Sequence, residues 1–192
     1  MYRNFKIQVE GRGGLLLSNV QYSDPLGEAA KQKQHFTDKK GKAKTDDVHR
    51  AVRILDWLYS CYWKQEGTVV VDETDNTIDF DGFSTPYLPG ANFQRCLRNA
   101  AIEYDGPKDA IEMINSKQPK LALAAFTSRG VWVNRVYFPS WRAKFELMLD
   151  DEIMGIDQLR KIANMGGKAE GLGTWRPSHG RFQVESIEEV DA

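Results

Sequence analysis

The chain alternates between short stretches whose hydrophobic residues recur at every second position and longer stretches with a helical period. Phe5, Ile7 and Val9 alternate with polar residues, which predicts a half-buried first strand. The other predicted strands lie at 69–71, 78–80, 121–126, 130–138, 142–149 and 181–187, and the acidic tail after them is expected to fray. The predicted helices lie at 46–63, 92–104, 107–116 and 156–165, the last ending at a pair of glycines.

Residues 18–84 interrupt a simpler order of elements. Between Lys31 and Lys44 there are six lysines and one acid, so residues 24–45 are predicted to form a mobile basic loop, followed by the helix at 46–63 and a hairpin at 68–81. Without residues 18–85 and 105–127, the order is strand, helix, strand, strand, helix, strand. This order predicts an α+β fold of the ferredoxin-like (RRM-like) βαββαβ type, with an antiparallel sheet and two helices on one face. We therefore expect one domain over 1–192, with 18–84 as a large insertion after the first strand.

The bulk composition excludes several classes of protein. The 192 residues are 41% hydrophobic and 28% charged, which excludes collagen-like, membrane-spanning and wholly disordered chains. The formal net charge of −1 predicts no partner by itself, so any basic surface must come from local segregation of charge. No long apolar run follows the first residues, and the two cysteines, Cys61 and Cys96, are expected to be buried thiols. We therefore expect a cytoplasmic protein with no membrane contact.

The segment GGKAEGLGTWRPSHGRFQV at 166–184 has the most suggestive chemistry. Its glycines allow the backbone to approach another backbone or a phosphate closely. Arg176, His179 and Arg181 add hydrogen-bond donors, and Trp175 adds a flat ring on which an unstacked base can lie. The segment lacks the Gly-Lys-Ser/Thr sequence of a P-loop. A structural alternative is a plain glycine-rich connection in which Trp175 covers the core.

Other cations and aromatic residues could take part in the same chemistry. Arg95 and Arg98 lie one helical turn apart, so both can point to one side. The lysines of the predicted loop can neutralise phosphates without a fixed geometry. Arg135 next to Trp132 or Tyr137 can form a stacking surface on a predicted strand. The alternatives are, in the same order, a solvated helix face, a merely soluble loop and core packing.

Two stretches of the chain resemble one protein family. The sequence TPYLPGANFQRCLR at 85–98 resembles the entry to the first helix of RAMP-superfamily proteins, which are ferredoxin-like RNA-binding subunits of CRISPR effectors. Residues 166–184 resemble the glycine-rich loop before their last strand, and are closer still to small phage and prophage proteins that end in Gly-x-x-x-x-Arg-Pro-x-x-Gly-Arg-Phe-x-Val. Ala91 and Asn92 replace the usual pair of serines, and Gln94 stands where the family often has Lys. The resemblance implies phosphate binding along the helix entry and the loop, with subunits repeating along one strand.

These observations lead to one main hypothesis. We expect a single-stranded nucleic-acid-binding protein, for RNA rather than ssDNA, that acts as a backbone-type subunit in CRISPR-type defence or in a phage. It is expected to oligomerise along the strand with copies of itself or other effector-complex subunits, and Trp141, at a predicted turn, is expected to pack on such a neighbour. The expected nucleic-acid-binding residues are Lys39, Lys40, Lys42, Lys44, Asn92, Arg95, Arg98, Arg135, Trp175, Arg176, His179 and Arg181. No cofactor and no metal is expected.

Two alternative functions remain open at this point. One is a metal-independent endoribonuclease that uses His179 as a general acid or base on the ribose 2′-OH, as repeat-processing enzymes of the same superfamily often do. The other is a phage assembly or interaction protein that does not bind nucleic acid, which the net charge of −1 favours.

Overall fold

The computed structural model describes residues 1–19, 22, 24–103 and 135–190. Helices and antiparallel strands are mixed along the chain, so the predicted α+β class is confirmed. The strands are β1 (Tyr2–Gly11), β2 (Leu15–Leu16), β3 (Tyr62–Trp63), β4 (Thr68–Asp72), β5 (Thr77–Asp81), β6 (Pro86–Tyr87), β7 (Tyr137–Phe138), β8 (Arg142–Asp150) and β9 (Phe182–Val190). The helices are α1 (Glu28–Thr37), α2 (Asp46–Ser60), α3 (Gly90–Glu103) and α4 (Ile156–Ala169), with a short 3-10 helix at Gly41–Ala43.

The chain divides into two compact units. Unit 1 comprises Met1–Leu16, Pro89–Val131 and Phe138–Ala192, and unit 2 comprises Leu17–Leu88 and Trp132–Tyr137. The predicted helix at 107–116, the strand at 121–126 and most of the strand at 130–138 lie outside the described residues.

Unit 1 is built on a sheet with the strand order β8-β1-β9, in which both pairings are antiparallel. Ile7 in the central strand lies opposite Phe145 on one side and Ile187 on the other. The period-2 pattern places Phe5, Ile7 and Val9 on one buried face, where Phe93 of α3 stacks on Phe145 with ring centres 4.0 Å apart. Burying this apolar face is what drives α3 onto the sheet.

The opposite face of the sheet is polar. Lys6 lies 3.9 Å from Glu146, and the guanidinium of Arg142 lies 2.8 Å from the carboxylate of Glu10. Cations and acids therefore neutralise one another on this face.

Helix α4 is longer than predicted. We expected it to end before Gly166 and Gly167, but it continues to Ala169. A Cβ at Gly166 would lie within 3.0 Å of the Sγ of Cys96 in α3, and one at Gly167 would lie within 3.0 Å of the carbonyl oxygen of Phe182. The two glycines are therefore helical positions at which α4 packs closely on α3 and β9, and the prediction of a helix end was wrong.

Two further expectations for unit 1 were wrong. The acidic tail was expected to fray, but it stays in the sheet up to Val190, because β9 pairs with β1 as far as the register Asn4↔Val190. Trp141 is only 9% exposed, its Nε1 donates a hydrogen bond to the carbonyl oxygen of Gly13 at 2.9 Å, and its ring lies edge-on to Phe182. Its indole ring therefore packs within its own unit, whereas packing on a neighbour, as we expected for this turn residue, needs an exposed ring, so that reasoning was wrong.

Unit 2 has a helix where a mobile loop was predicted. Residues Glu28–Thr37 form α1, and Phe36 is completely buried in a core with α2 and β5 whose other members are Val48, Ala51, Leu55 and Ile78. Lys33 of α1 also forms an ion pair with Asp56 of α2. One large apolar residue is thus enough to dock a basic helix, which a count of charges did not reveal.

The rest of unit 2 follows the predicted elements closely. Thr45 caps α2, because its side chain accepts a hydrogen bond from the backbone N–H of Val48. The helix ends at Ser60, three residues before the predicted end. The predicted hairpin is formed by β4 and β5, with Val69 opposite Phe80 and Val71 opposite Ile78.

Candidate nucleic-acid interface

The segment 170–181, which we call the glycine-rich loop, joins α4 to β9 and is fixed to unit 1 by backbone hydrogen bonds. The N–H of Leu172 donates to the carbonyl oxygen of Gly180 at 2.9 Å, which closes the loop on itself. The N–H of Gly180 donates to Gly14 at 2.8 Å, and that of Thr174 donates to Leu16 at 2.9 Å. The loop therefore has a defined conformation that is set by the β1–β2 connection.

The glycines of this loop make contacts within the protein. Gly171, Gly173 and Gly180 have φ values of 72°, 75° and 77°, a region that side chains other than glycine rarely occupy. A Cβ at any of the three would also lie within 3.0 Å of a backbone carbonyl oxygen of unit 1. The close approach predicted for these glycines is thus to the protein's own backbone. Any phosphate contact must come from the side chains of the loop.

The tip of the loop exposes an aromatic ring and a guanidinium. Trp175 is 66% exposed, so the alternative in which it covers the core is wrong. The N–H of His179 donates to the carbonyl oxygen of Trp175 at 3.1 Å, and the two rings lie 6.3 Å apart. Arg181 is exposed, and its Nε donates to the carbonyl oxygen of Pro177 at 3.0 Å. These contacts hold Trp175 and Arg181 in place on the surface.

Arg176 connects the loop electrostatically to α3. Burial raises the pKa of the Cys96 thiol to about 12, with Glu170 adding to the rise and Arg176 opposing it. The carboxylate of Glu170 accepts a hydrogen bond from the Nδ2 of Asn99 at 2.9 Å. The half-buried Arg176 side chain therefore acts electrostatically on Cys96 in α3.

The predicted residues of α3 extend from its first turn to just past its middle. Asn92 is half-buried in the first turn, and its N–H donates to Pro89 at 2.9 Å. Arg95 is exposed, and the half-buried Arg98 has an Nε without a hydrogen-bond partner among the described residues.

The predicted arginines of unit 1 differ from Arg3 and Arg142 in their ion pairing. Arg3 and Arg142 both form ion pairs with carboxylates. In contrast, Arg95, Arg98, Arg176 and Arg181 form no ion pair with any residue that the structure describes. These four guanidinium groups keep their positive charge uncompensated at close range.

The remaining predicted residues lie in unit 2. Lys40, Lys42 and Lys44 are exposed, whereas Lys39 is hydrogen-bonded to Asn76 and has its Nζ 5.7 Å from the ring centre of Phe36. The half-buried Arg135 lines a polar pocket with Lys33, Asp56 and Tyr59, among others. Trp132, one of its two predicted stacking partners, lies outside the described residues, and the other, Tyr137, is exposed. The structure thus divides the predicted residues between the two units.

Sequence analysis missed the part of the site that holds the loop in place. Gly11, Gly13 and Gly14 by themselves suggest a bulge or bend before the next strand, but this connection also receives the loop through Gly14 and the indole of Trp141 through Gly13. The paired glycine clusters at 11–14 and 171–180 were the available signal, since two backbones that approach closely both need small residues.

Two classes of site find no support in the described ranges. There, no cluster of three or more His, Cys, Asp or Glu side chains could hold a metal ion. Over the same ranges, no helix combines the length and the apolar character that crossing a bilayer requires.

Comparisons with family models, with curated proteins and with solved structures found no match to the chain.

Proposed function

We propose that the chain binds single-stranded nucleic acid, RNA in preference to ssDNA, as a non-catalytic subunit. The observation that supports this most is the surface of the glycine-rich loop, which carries the exposed Trp175 together with Arg176 and Arg181, two arginines that form no ion pair with a described carboxylate. Guanidinium groups bind phosphate oxygens with fork-like geometry, and an exposed indole offers a face to an unstacked base. A strand of nucleic acid supplies both ligands at regular spacing.

We further propose that unit 1 has the ferredoxin-like topology of RAMP-superfamily proteins. The antiparallel order β8-β1-β9, with α3 between β1 and β8 along the chain and α4 between β8 and β9, fits three of the four strands of that fold. The polar face of this sheet has its charges paired, as Lys6 with Glu146 and Arg142 with Glu10. We therefore assign the strand-binding role to the loop and to Arg95 and Arg98 of α3.

The assembly proposed for this protein repeats the same contact along one strand, with copies of the chain or other effector-complex subunits side by side. In a regular array of this kind, each subunit contacts only a few phosphates of the strand. Arginines fixed by a rigid loop suit such a short footprint, because each hydrogen bond costs little ordering entropy.

The experiment compares two double variants by fluorescence anisotropy with a labelled RNA single strand at two salt concentrations. Arg176→Ala plus Arg181→Ala removes two proposed phosphate contacts, and we expect a loss of affinity of at least about tenfold with an unchanged melting temperature. Arg3→Ala plus Arg142→Ala removes the same charge from the same unit, but from arginines already paired with acids, and we expect it to bind nearly as well as the wild type. Equal affinity of the wild type and the Arg176/Arg181 variant would refute the assignment of the site.

The same assay distinguishes the two alternative functions. Cleavage of the RNA that disappears in His179→Ala would identify a metal-independent endoribonuclease. The absence of binding at low salt would instead favour a phage assembly or interaction protein. The contact of the His179 ring with Trp175 favours a structural role for this histidine within the loop.

A further inference from the structure

Unit 2 contains four aromatic rings that contact one another in a closed circuit, which we call the aromatic cluster: Trp57, Trp63, Phe80 and Phe83. The ring centres of Trp57 and Trp63 lie 5.7 Å apart, and those of Trp63 and Phe83 lie 5.2 Å apart. Phe80 closes the circuit at 6.4 Å from Trp57 and 6.5 Å from Phe83. All four pairs are tilted or edge-on, the geometry that aromatic quadrupoles favour.

The cluster is rigid at its base and open to solvent at its top. The Nε1 of Trp63 donates a hydrogen bond to the carbonyl oxygen of Leu58 at 2.8 Å, which ties this ring to the end of α2. Trp57 and Phe80 are 43% and 46% exposed. The buried core of unit 2, centred on Phe36 and Leu55, does not include either ring. Two large apolar rings are thus kept at the surface without a role in the core.

The charges around the cluster favour a negatively charged ligand. Arg53 lies one turn before Trp57 on the same side of α2, is exposed and forms no ion pair within the described part of the chain. Asp79 and Asp81 flank Phe80 in β5, but strand alternation directs their side chains to the opposite face of the hairpin. The aromatic face therefore presents a cation, while the neighbouring acids point away from it.

The size of the exposed surface decides between a protein and a nucleic acid as the ligand. The exposed parts of Trp57 and Phe80 together amount to roughly 200 Å². A stable interface with a protein, including a second copy of this chain, needs about 800 Å² on each partner. An unstacked base covers one ring at a time and carries its own phosphate, which matches one aromatic face beside one cation.

We propose that the aromatic cluster of unit 2 is a stacking platform for unpaired bases, with Arg53 beside it for a phosphate. This inference rests on the proposed function, because it requires that the chain binds single-stranded nucleic acid. It adds a base-contacting surface that is separate from the arginines of unit 1.

The test compares an oligouridylate with an abasic oligonucleotide of the same length, which has the same phosphates but no rings. We expect the wild type to bind the oligouridylate more tightly, and we expect Trp57→Ala plus Phe80→Ala to weaken that binding about tenfold while leaving the abasic strand unaffected. With Trp57→Phe in place of Trp57→Ala, much of the affinity for the oligouridylate should return, because Phe keeps an aromatic face at this position. Tyr2→Ala, which removes an exposed aromatic ring from unit 1, is the matched control and should bind both strands as the wild type does.

The possible outcomes are separable. If neither strand binds the wild type at low salt, the proposed function itself is wrong, and the proposed stacking platform is then wrong as well. If both strands bind and Trp57→Ala plus Phe80→Ala retains full affinity for the oligouridylate, the platform is wrong and the proposed function stands. A variant that changes the oligomeric state but not the binding of either strand would assign the cluster to a protein contact and overturn the inference. Melting temperatures of all variants verify that they are folded.

Discussion

The glycine-rich loop of unit 1 and the lysine segment of unit 2 (residues 39–44) both present cations, but they differ in how far hydrogen bonds fix their positions. The loop is tied to the β1–β2 connection by backbone hydrogen bonds from Thr174 and Gly180. In the lysine segment Lys39 is hydrogen-bonded to Asn76, but the backbone bonds are local to the 3-10 turn, from Ala43 to Lys40 and from Lys44 to Gly41, and the lysines at 40, 42 and 44 point into solvent. The side chains of the glycine-rich loop are therefore held in fixed positions, whereas Lys40, Lys42 and Lys44 are not. Arginines in a fixed geometry suit recognition of individual phosphates, whereas mobile lysines supply diffuse attraction.

The strongest test of this difference uses one glycine from each region. Gly180 and Gly41 both have positive φ values, 77° and 56°, but a Cβ at Gly180 would overlap the carbonyl oxygen of Leu172, whereas one at Gly41 would meet nothing within 4 Å. We expect Gly180→Ala to lower the free energy of unfolding by about 3 kcal/mol, from backbone strain and steric overlap together. Gly41→Ala should cost about 1 kcal/mol, from strain alone. Urea denaturation measures both, and similar losses would mean that the loop is no better fixed than the lysine segment.

A second test uses the buried thiol that each unit contains. Burial raises the pKa of Cys61 to about 11, and burial, with Glu170, raises that of Cys96 to about 12, from an ordinary value of 9.0. Above pH 9.0 the unfolded thiols ionise while the folded ones stay protonated, so stability is lost as the pH rises towards about 11 for Cys61 and about 12 for Cys96. The expected slope is about 1.4 kcal/mol per pH unit for each thiol.

The measurement is urea denaturation at several pH values for the wild type, Cys96→Ala and Cys61→Ala. Each variant should lose the slope of one thiol, and subtraction from the wild type removes the contribution of the tyrosines, which is common to all three proteins. Stability curves that run parallel for the wild type and Cys96→Ala would show that the thiol of unit 1 is not shielded in solution.

The smallest effect is expected from the lysine segment. Replacing Lys40, Lys42 and Lys44 by Ala should weaken RNA binding about threefold at low salt and leave it unchanged at high salt, because exposed charges without fixed positions are screened. Anisotropy titrations at the two salt concentrations check this. If this triple variant lost as much affinity as Arg176→Ala plus Arg181→Ala, the distinction between fixed and diffuse cations would be wrong.

The elements that sequence analysis predicted well are those whose signal is local. Alternation at Phe5, Ile7 and Val9 predicted β1 because one face of the strand is buried. Thr45 and Asp46 are likewise both capping residues by type, and they indicate the start of α2, where Thr45 is the cap. Trp175 and Arg181 are also close in sequence, but the nucleic-acid-binding role of the glycine-rich loop stays a prediction.

The errors arose where distant residues decide the local structure. Gly166 and Gly167 look like a helix end by propensity, but the space they leave is filled by Cys96 and Phe182. Trp141 bonds to Gly13, 128 positions away, and no local pattern predicts that contact. The helix α1 is held by few buried residues, of which Phe36 is the only large one, within a strongly basic stretch. The aromatic cluster was missed because its rings come from α2, β3, β5 and the residues after β5, and only the fold assembles them.

The pairing of β1 with β9 has a consequence for biosynthesis. Gln8 of β1 is hydrogen-bonded to Glu185, 177 positions later in the chain. At ordinary translation rates roughly ten to thirty-five seconds pass between the synthesis of these two residues. Because β8 (Arg142–Asp150) is also made late, neither side of the central strand has its partner for most of that interval, and most of unit 2, which is contiguous from Leu17 to Leu88, is complete before then. We therefore expect the inserted unit to fold first on the ribosome, and the nascent sheet to need protection from other chains until β9 arrives.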